Sequence, residues 1–248
     1  MDHKERMDVA EKIVKKVLEK YGNKILVGGL CGSTARDEDL PHSDIEMLFI
    51  TKEGSRIEGN DFLFKDIQVA VAFTDLKDAE KMLSDVDHYW AMRIARFFCI
   101  KKMCGDGRVL ERFHDAVRAI PDGKFTRELK EDIPPLADLL NKIRNARLEK
   151  DQPSAIDYAR SLLYHINLCL GLLNRRHFTR NYYKNFIEAF GFKKLPKDYE
   201  KLVKRLWISQ DPDEIARLSE GLAGNYLALL EENKISIKTY NSVDEVGL

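Results

Sequence analysis

Two neighbouring segments organise this chain: Gly28-Gly29-Leu30-Cys31-Gly32-Ser33-Thr34-Ala35-Arg36 and, shortly after it, Ser43-Asp44-Ile45-Glu46-Met47-Leu48-Phe49-Ile50. Residues 24–30 predict a short apolar strand that runs into glycines. Glycines permit a tight turn and leave no side chain between a ligand and the backbone. The residues from Ser33 onward predict the first turn of a short helix, where free N–H groups favour a phosphate oxygen.

The second half of this stretch predicts a strand that is entered through Ser43 and carries two acids. In a strand, residues i and i+2 point to the same face, roughly 7 Å apart. Asp44 and Glu46 are therefore expected to project side by side, with Ile45 buried behind them. Two carboxylates at this spacing suit Mg²⁺. An Asp-x-Glu pair alone is also typical of an acidic strand edge, but the adjacent Gly-Ser turn favours the metal-binding interpretation.

The combination of G-S-x-A-R and S-D-I-E resembles the polymerase-beta-like nucleotidyltransferase superfamily. Within that superfamily, the chain is similar to the kanamycin nucleotidyltransferase family. The residues that carry this similarity are Gly32-Ser33, Arg36, Asp39, Pro41 and Ser43-Asp44-Ile45-Glu46-Met47. The resemblance implies transfer of a nucleoside monophosphate from an NTP, with ATP the expected donor, to a hydroxyl of a small molecule. Mg²⁺ would be required and pyrophosphate released. It also implies a homodimer.

The same resemblance implies roles for individual residues. Asp44 and Glu46 would be catalytic and would bind the metal. The nucleotide would be bound by Gly32, Ser33, Arg36 and Ser43. Many members of the superfamily have a third carboxylate on the neighbouring strand, and that position falls here at Ala70. The nearest acid on the same predicted strand face is Asp66, two pleats earlier and roughly 13 Å away.

Residues 62–73 alternate as one strand, and no later strand is predicted beyond Asp87. Pro121-Asp122-Gly123 reads as a linker, and the segments after it predict helices only. A mixed sheet followed by a run of helices indicates two domains. The predicted fold class is α+β, with a nucleotidyltransferase domain over 1–121, built of a small mixed sheet and flanking helices, and an all-α helical bundle over 122–248.

A helical segment near residues 125–149 contains Pro134-Pro135, which should divide or kink it. Asp138 and Lys142 follow, four residues apart on one face. From the residues alone, this spacing is typical of an exposed ion pair. The resemblance, carried by Lys142-Ile143-Arg144-Asn145, implies instead that Asp138 is the general base and that Lys142 meets the triphosphate. Aspartate in place of the family's glutamate shortens the side chain by one methylene.

Composition excludes several classes of function. The chain has 41 Lys and Arg against 41 Asp and Glu, so no global positive charge favours an extended nucleic acid, and a polymerase or tRNA-modifying function is disfavoured. No apolar run suits a signal peptide or a membrane span. We therefore expect a cytoplasmic protein. The four cysteines have no C-x-x-C spacing, and no histidine cluster completes a zinc site, which favours reduced thiols.

One alternative of a different class stays open. A nucleotide-binding module without turnover, acting as a regulator or as the antitoxin-like half of a toxin pair, would keep the phosphate turn and the metal pair. The alanine at position 70 supports that alternative. Pyrophosphate release with hydroxyl acceptors would separate the two hypotheses.

Overall fold

The computed structural model describes residues 1–180, 183–242, 244 and 246, and these divide into two compact units. The first unit contains Met1–Pro121 and a short segment that begins at His177. The second unit contains Asp122–Arg176 and the chain from Tyr183 onward. The return of the chain to the first unit at His177 was not predicted. No helix in the described ranges has the length and apolarity needed to cross a membrane.

The first unit combines short helices with strands. Its elements are α1 (His3–Tyr21), β1 (Ile25–Leu30), α2 (Gly32–Ala35), β2 (Ile45–Thr51), β3 (Asn60–Phe64), β4 (Ile67–Asp75), α3 (Leu76–Ser84), α4 (Trp90–Arg93), α5 (Ala95–Phe98), β5 (Lys101–Gly105) and α6 (Arg108–Arg118). The strands form one sheet in the order β3-β4-β2-β1-β5. Strands β2 and β4 are parallel, and every other neighbouring pair is antiparallel. The predicted small mixed sheet is confirmed.

Helix α1 covers one face of this sheet. A capping box starts it: the Asp2 carboxylate accepts the Glu5 N–H at 2.8 Å, and the Glu5 carboxylate accepts the Asp2 N–H at 3.2 Å. Its apolar stripe recurs at helical spacing and includes Ala10 and Val14. The stripe packs in one cluster with the inward residues of β2, which are Ile45, Met47 and Phe49.

The prediction of one strand over residues 62–73 was wrong, because the structure has a hairpin there. Strand β3 ends at Phe64 and β4 begins at Ile67. Lys65 and Asp66 between them have φ of 49° and 64°. Two consecutive residues with positive φ are what a tight two-residue hairpin turn requires. Asp66 therefore lies in the turn and not at the start of a strand.

The prediction of no strand after Asp87 was also wrong. Strand β5 pairs antiparallel with β1 and forms an edge of the sheet. Its sequence, Lys-Lys-Met-Cys-Gly, has two charges and a glycine, and it lacks the apolar alternation that predicts strands. Its strand conformation comes from pairing with a segment more than 70 residues away in the chain, which no local pattern encodes.

The second unit is all-α in the described residues, as predicted. Its helices are α7 (Asp122–Glu131), α8 (Ile133–Glu149), α9 (Gln152–Asn174), α10 (Tyr183–Ala189), α11 (Tyr199–Ile208) and α12 (Pro212–Glu232). The predicted break at the proline pair is present, since α7 ends at Glu131 and the prolines fall in the first turn of α8. Proline is tolerated there because the first N–H groups of a helix have no partner within it.

Candidate active site

The two predicted metal-binding acids lie at the start of β2. Asp44 immediately precedes the strand and is exposed, Ile45 is fully buried, and Glu46 is partly buried. This alternation is the expected strand geometry, with both acids on the side opposite Ile45. Because Ile45 belongs to the core that contains α1, the backbone that carries the two acids is fixed from behind.

Backbone contacts join the glycine corner to these acids. The Cys31 N–H donates to the Glu46 carbonyl oxygen at 2.8 Å, which extends the pairing of β1 with β2. The Thr34 hydroxyl of α2 donates to the Asp44 carbonyl oxygen at 3.4 Å. The backbone of both acids is therefore hydrogen-bonded to the segment that leads from β1 into α2.

Gly32 is the glycine that this corner requires. Its φ is +65°, and a Cβ on it would lie 2.1 Å from the Glu46 Oε2 atom. Most other residue types would be strained by that φ, and any side chain there would also collide with the carboxylate. The absence of a side chain at position 32 therefore makes the space in which the Glu46 carboxylate lies.

Gly28 and Gly29 do not form the ligand-binding turn that the sequence predicts. Gly28 and Gly29 lie within β1, not in the turn. A Cβ on Gly28 would lie 2.2 Å from the Phe49 ring, and one on Gly29 would lie 2.0 Å from the Lys101 carbonyl oxygen. These glycines make room for core packing and for the approach of β5, so only Gly32 serves the corner.

The electrostatics of the corner favour a cation. Burial raises the pKa of Glu46 above its ordinary value, and the neighbouring Asp44 charge raises it further, whereas Arg36 and Arg96 oppose the shift. Two oxygen donors that repel each other beside a glycine-lined space are the donor set that Mg²⁺ binds. The residues present therefore fit a divalent metal ion.

Arg36 lies close enough to the acids for its charge to lower the pKa of Glu46, and Ser33 lies one turn earlier in the chain. Both belong to or follow α2, and both are partly buried. The Arg36 Nε donates to Glu38 at 3.2 Å, and Glu38 is also bound by Arg180. The hydrogen bond from Arg180, with a smaller contribution from Arg36, lowers the pKa of Glu38 to about 2. Arg36 uses one of its five donors on Glu38.

Ser43 stabilises the turn that precedes β2. Its Oγ accepts the Leu40 N–H at 2.9 Å and closes the turn that leads into β2. Its carbonyl oxygen accepts a hydrogen bond from Arg6 Nε at 3.2 Å. The nucleotide-binding role that the resemblance implies for Ser43 stays a prediction, as do the roles of Gly32, Ser33 and Arg36.

A buried ion pair that sequence reasoning missed anchors the turn before Asp44. Arg6 on α1 and the Asp39 side chain are 1% and 2% exposed, and their closest atoms are 2.9 Å apart. Arg6 also donates to the Leu40 carbonyl oxygen at 2.6 Å. Burial raises the pKa of Asp39, but the hydrogen bond from His3 and the charges of His3 and Arg6 outweigh it and hold the pKa below its ordinary value.

The position of the absent third acid is defined by strand register. Ala70 on β4 is the direct partner of Glu46 on β2, and Asp61 on β3 is the direct partner of Ala70. Partners in register point to the same face of a sheet, and neighbouring strands are about 4.8 Å apart. Asp61 therefore follows Glu46 and Ala70 in one row across three strands. The sequence hid this row because residues 62–73 read as a single strand.

Asp138 and Lys142 lie on α8 in the second unit. Lys142 Nζ is 2.8 Å from Asp138 Oδ2, and both side chains are about half exposed. The hydrogen bond and charge of Asp138 raise the pKa of Lys142 above its ordinary value. The i,i+4 ion pair that the spacing indicates is present. The base and phosphate-binding roles implied by the resemblance stay predictions.

The fold is similar to a solved nucleotidyltransferase-like structure. The crystal structure of a nucleotidyltransferase-like protein from Exiguobacterium sibiricum 255-15 aligns with a TM-score of 0.52 at 13% identity, over 90% of this chain and 75% of that one. At this identity the likeness shows the shared fold alone.

Sequence comparison defines the family. Residues 108–236 match the family described as the KNTase C-terminal domain, so the chain belongs to that family. Over 129 residues it is 29% identical to an aminoglycoside nucleotidyltransferase (4′) from a Bacillus species and 28% identical to one from Staphylococcus aureus. These matches cover 50% of this chain and 49% of each relative, so the chain spans about half the length of the relatives that it matches. These matches confirm the resemblance to the kanamycin nucleotidyltransferase family that the sequence motifs indicate.

Proposed function

We propose that this protein transfers a nucleoside monophosphate from an NTP, with ATP the expected donor, to a hydroxyl of a small molecule and releases pyrophosphate. The observation that carries the proposal is the packing of the Glu46 carboxylate against Gly32, with Asp44 two residues earlier. This arrangement partly buries the Glu46 carboxylate and places it near the charge of Asp44, and both effects raise the pKa of Glu46. Such an electrostatic cost is typical of functional sites. The names of the two sequence relatives support the same class of reaction.

In this proposal, Asp44 and Glu46 hold Mg²⁺. When bound, the ion supplies positive charge that offsets the charge of the phosphates and orients them. Gly32 and Ser33 accommodate the phosphate groups, and Arg36 adds positive charge beside them. Ser43 contributes by holding the turn that leads to Asp44.

The proton transfer is assigned to Asp138. The acceptor hydroxyl loses its proton to the Asp138 carboxylate while its oxygen forms a bond to the α-phosphorus. The bond from that phosphorus to the bridging oxygen of pyrophosphate breaks. Lys142 supplies positive charge to the triphosphate, and its contact with Asp138 can open during the cycle. Because both groups are about half exposed, water can replace that contact at little cost.

The experiment compares pyrophosphate release by the parent protein and by Asp44→Asn, with radiolabelled ATP, Mg²⁺ and a panel of acceptors. The panel contains polycationic aminoglycosides and neutral hydroxyl metabolites. We expect at least one acceptor to support release, and we expect Asp44→Asn to reduce it by at least about 10³-fold, because metal-ion stabilisation is worth several kcal/mol.

Asp66→Asn is the matched control. It makes the same chemical change in the β3–β4 turn, and asparagine tolerates the positive φ there. It should retain the parent rate. Full activity in Asp44→Asn with every acceptor that the parent uses would overturn the assignment. Light scattering on the same preparations tests the homodimer that the resemblance implies.

A second candidate is a nucleotide-binding module without turnover. The observation that favours it is Ala70 beside Glu46, where the superfamily resemblance places a further acid. Mg²⁺-dependent ATP binding without pyrophosphate release across the whole acceptor panel would favour this module. Release with any acceptor would exclude it.

A further inference from the structure

A compact group of metal-binding side chains lies in the second unit, where neither the resemblance nor the proposed reaction assigns a function. One ring nitrogen of His165, the Sγ of Cys169 and a carboxylate oxygen of Asp132 lie within 4.8 Å of one another. All three residues are buried, with exposed fractions of 8%, 0% and 7%. His165 and Cys169 are four residues apart on α9, and Asp132 lies between α7 and α8.

The distances within this group approach those of a metal coordination shell. The Cys169 Sγ is 3.3 Å from Asp132 Oδ2. Ligand atoms around a tetrahedral zinc ion, with bonds of about 2.0–2.3 Å, are roughly 3.3–3.8 Å apart. The thiol–carboxylate pair already has that separation, and because the donor atoms all lie within 4.8 Å of one another, no distance in the group needs to shorten by more than roughly 1–1.5 Å.

A backbone carbonyl holds the histidine ring in place. His165 Nε2 lies 2.9 Å from the Asp132 carbonyl oxygen. When Nε2 is the protonated nitrogen and donates to that carbonyl, Nδ1 keeps the lone pair that a metal binds. Metal-binding histidines in proteins are commonly oriented by such a hydrogen bond from their other ring nitrogen.

A polar atom beside the group lacks a partner. The Tyr226 hydroxyl on α12 is buried, and no described residue completes a hydrogen bond of normal geometry with it. It is close enough to Cys169 for each group to affect the pKa of the other, although burial is the larger cause of the raised pKa of both. The charge of Glu128 raises the pKa of Cys169 further. A buried polar atom without a partner is expensive, and a bound ion or water is a common reason for one.

We propose that Asp132, His165 and Cys169 form a structural or regulatory site for a divalent transition metal, with Zn²⁺ the favoured ion. Thiolate and imidazole donors select Zn²⁺ over Mg²⁺, which prefers oxygen. Binding replaces the thiol proton of Cys169: a sulfur–metal bond forms, and the proton leaves to solvent. Because the three donors join the α7–α8 junction to α9, metal binding ties these helices together.

The test uses the full chain, stripped with a chelator and titrated with Zn²⁺, Co²⁺ and Mg²⁺ separately. We expect about one equivalent of Zn²⁺ per chain and a rise in Tm on binding. The Co²⁺ form should show a thiolate-to-metal charge-transfer band. At the same concentration, Mg²⁺ should produce neither effect.

Two variants test the ligands independently. Cys169→Ser should lose the charge-transfer band. His165→Gln, which leaves the thiol and the carboxylate in place, should weaken Zn²⁺ binding by at least about 100-fold, more than the loss of an outer-shell partner does. If Cys169→Ser does not fold, His165→Gln decides alone.

Two controls separate this site from others. Cys104→Ser removes a thiol of the first unit, and Asp44→Asn alters the proposed Mg²⁺ site; both should keep the band and the Zn²⁺ affinity. The proposal is overturned if the stripped parent binds no equivalent of Zn²⁺, or if His165→Gln binds it as tightly as the parent does. Neither outcome depends on nucleotidyl transfer.

Discussion

The two pairs of side chains that carry the proposed reaction are held in opposite ways. Asp44 and Glu46 repel each other, yet the Cys31 N–H and the Thr34 hydroxyl donate to their backbone carbonyl oxygens, and the space at Gly32 accommodates the Glu46 carboxylate. Asp138 and Lys142 attract each other on an open helix face. The first arrangement costs stability that packing must offset, and the second costs almost none.

The geometry of the first pair points to a ligand, and that of the second pair does not. Two neighbouring acids, of which Glu46 has a raised pKa, have no evident structural benefit, so their presence is itself an argument for a ligand. An exposed i,i+4 ion pair is common on helices and argues for nothing by itself. The case for Asp138 and Lys142 therefore rests on the resemblance, whereas the case for Asp44 and Glu46 also rests on electrostatics.

The largest effect is expected for Glu46→Gln, which tests whether the Asp44–Glu46 pair is held at a cost in stability. It should reduce pyrophosphate release by at least about 10³-fold and should also raise Tm at pH 7. The folded-state pKa of Glu46 is raised, so the folded protein keeps a proton that the unfolded chain has already lost. The free energy of unfolding therefore falls as the pH rises from about 4.5, the ordinary pKa, through the raised value. Glutamine removes that cost.

The measurement is denaturation of the parent and of Glu46→Gln between pH 4 and pH 8, beside the activity assay. The stability difference should be present at pH 7 and shrink below about pH 4.5, where Glu46 is protonated in both states. A variant that is inactive but less stable at pH 7 would contradict the idea that the acid pair is held at a cost.

The next largest effect is expected at the buried Arg6–Asp39 ion pair, which anchors the turn before Asp44. Arg6→Met keeps an unbranched apolar side chain like the aliphatic part of arginine but leaves the buried Asp39 without its guanidinium. We expect a loss of about 3–5 kcal/mol in the free energy of unfolding, the usual cost of breaking a buried ion pair. Pyrophosphate release should fall too, because Arg6 also holds the carbonyl oxygens of Leu40 and Ser43. Urea denaturation measures the first effect.

The double variant Arg6→Met/Asp39→Asn is the control for that prediction. Removing the stranded charge should restore part of the lost stability. If the single variant is as stable as the parent, the buried pair does not hold this turn.

The contrast between the pairs also explains how much could be predicted from the sequence. Gly32, Asp44 and Glu46 lie within 15 residues, and the rules of turns and strand alternation act over that range, so their geometry was predictable. Arg6 and Asp39 are 33 residues apart, and Arg180 and Glu38 are 142 apart. No local pattern links them, because only the tertiary fold brings the partners of each pair together. Strand β5 escaped prediction for the same reason, since its strand conformation depends on its pairing with β1.

A smaller effect is expected for Asp138→Asn. If Asp138 is the general base, the catalytic rate should fall by about 10²-fold, the lower end of the range for general base catalysis. Tm should stay unchanged, because the pair with Lys142 is exposed. Glu131→Gln is the matched control: it removes the acid of another exposed i,i+4 pair in the second unit, with Arg127, and should change neither quantity. Parent-like turnover in Asp138→Asn would remove the proposed role of that residue and leave the first pair untouched.

The smallest expected effect belongs to Asp61, the acid at the far end of the row that starts at Glu46. Two strand spacings put its Cα roughly 10 Å from that of Glu46, too far to share one metal ion but near enough to attract a cationic acceptor. Asp61→Asn should therefore raise KM for a polycationic acceptor by about 3–10-fold at low salt, with kcat unchanged, and the effect should fade as ionic strength rises. KM for a neutral acceptor should not move. A fall in kcat of the size expected for Glu46→Gln would mean instead that Asp61 acts in the chemistry and replaces the acid absent at Ala70, so the split between KM and kcat decides which of the two roles the edge strand has.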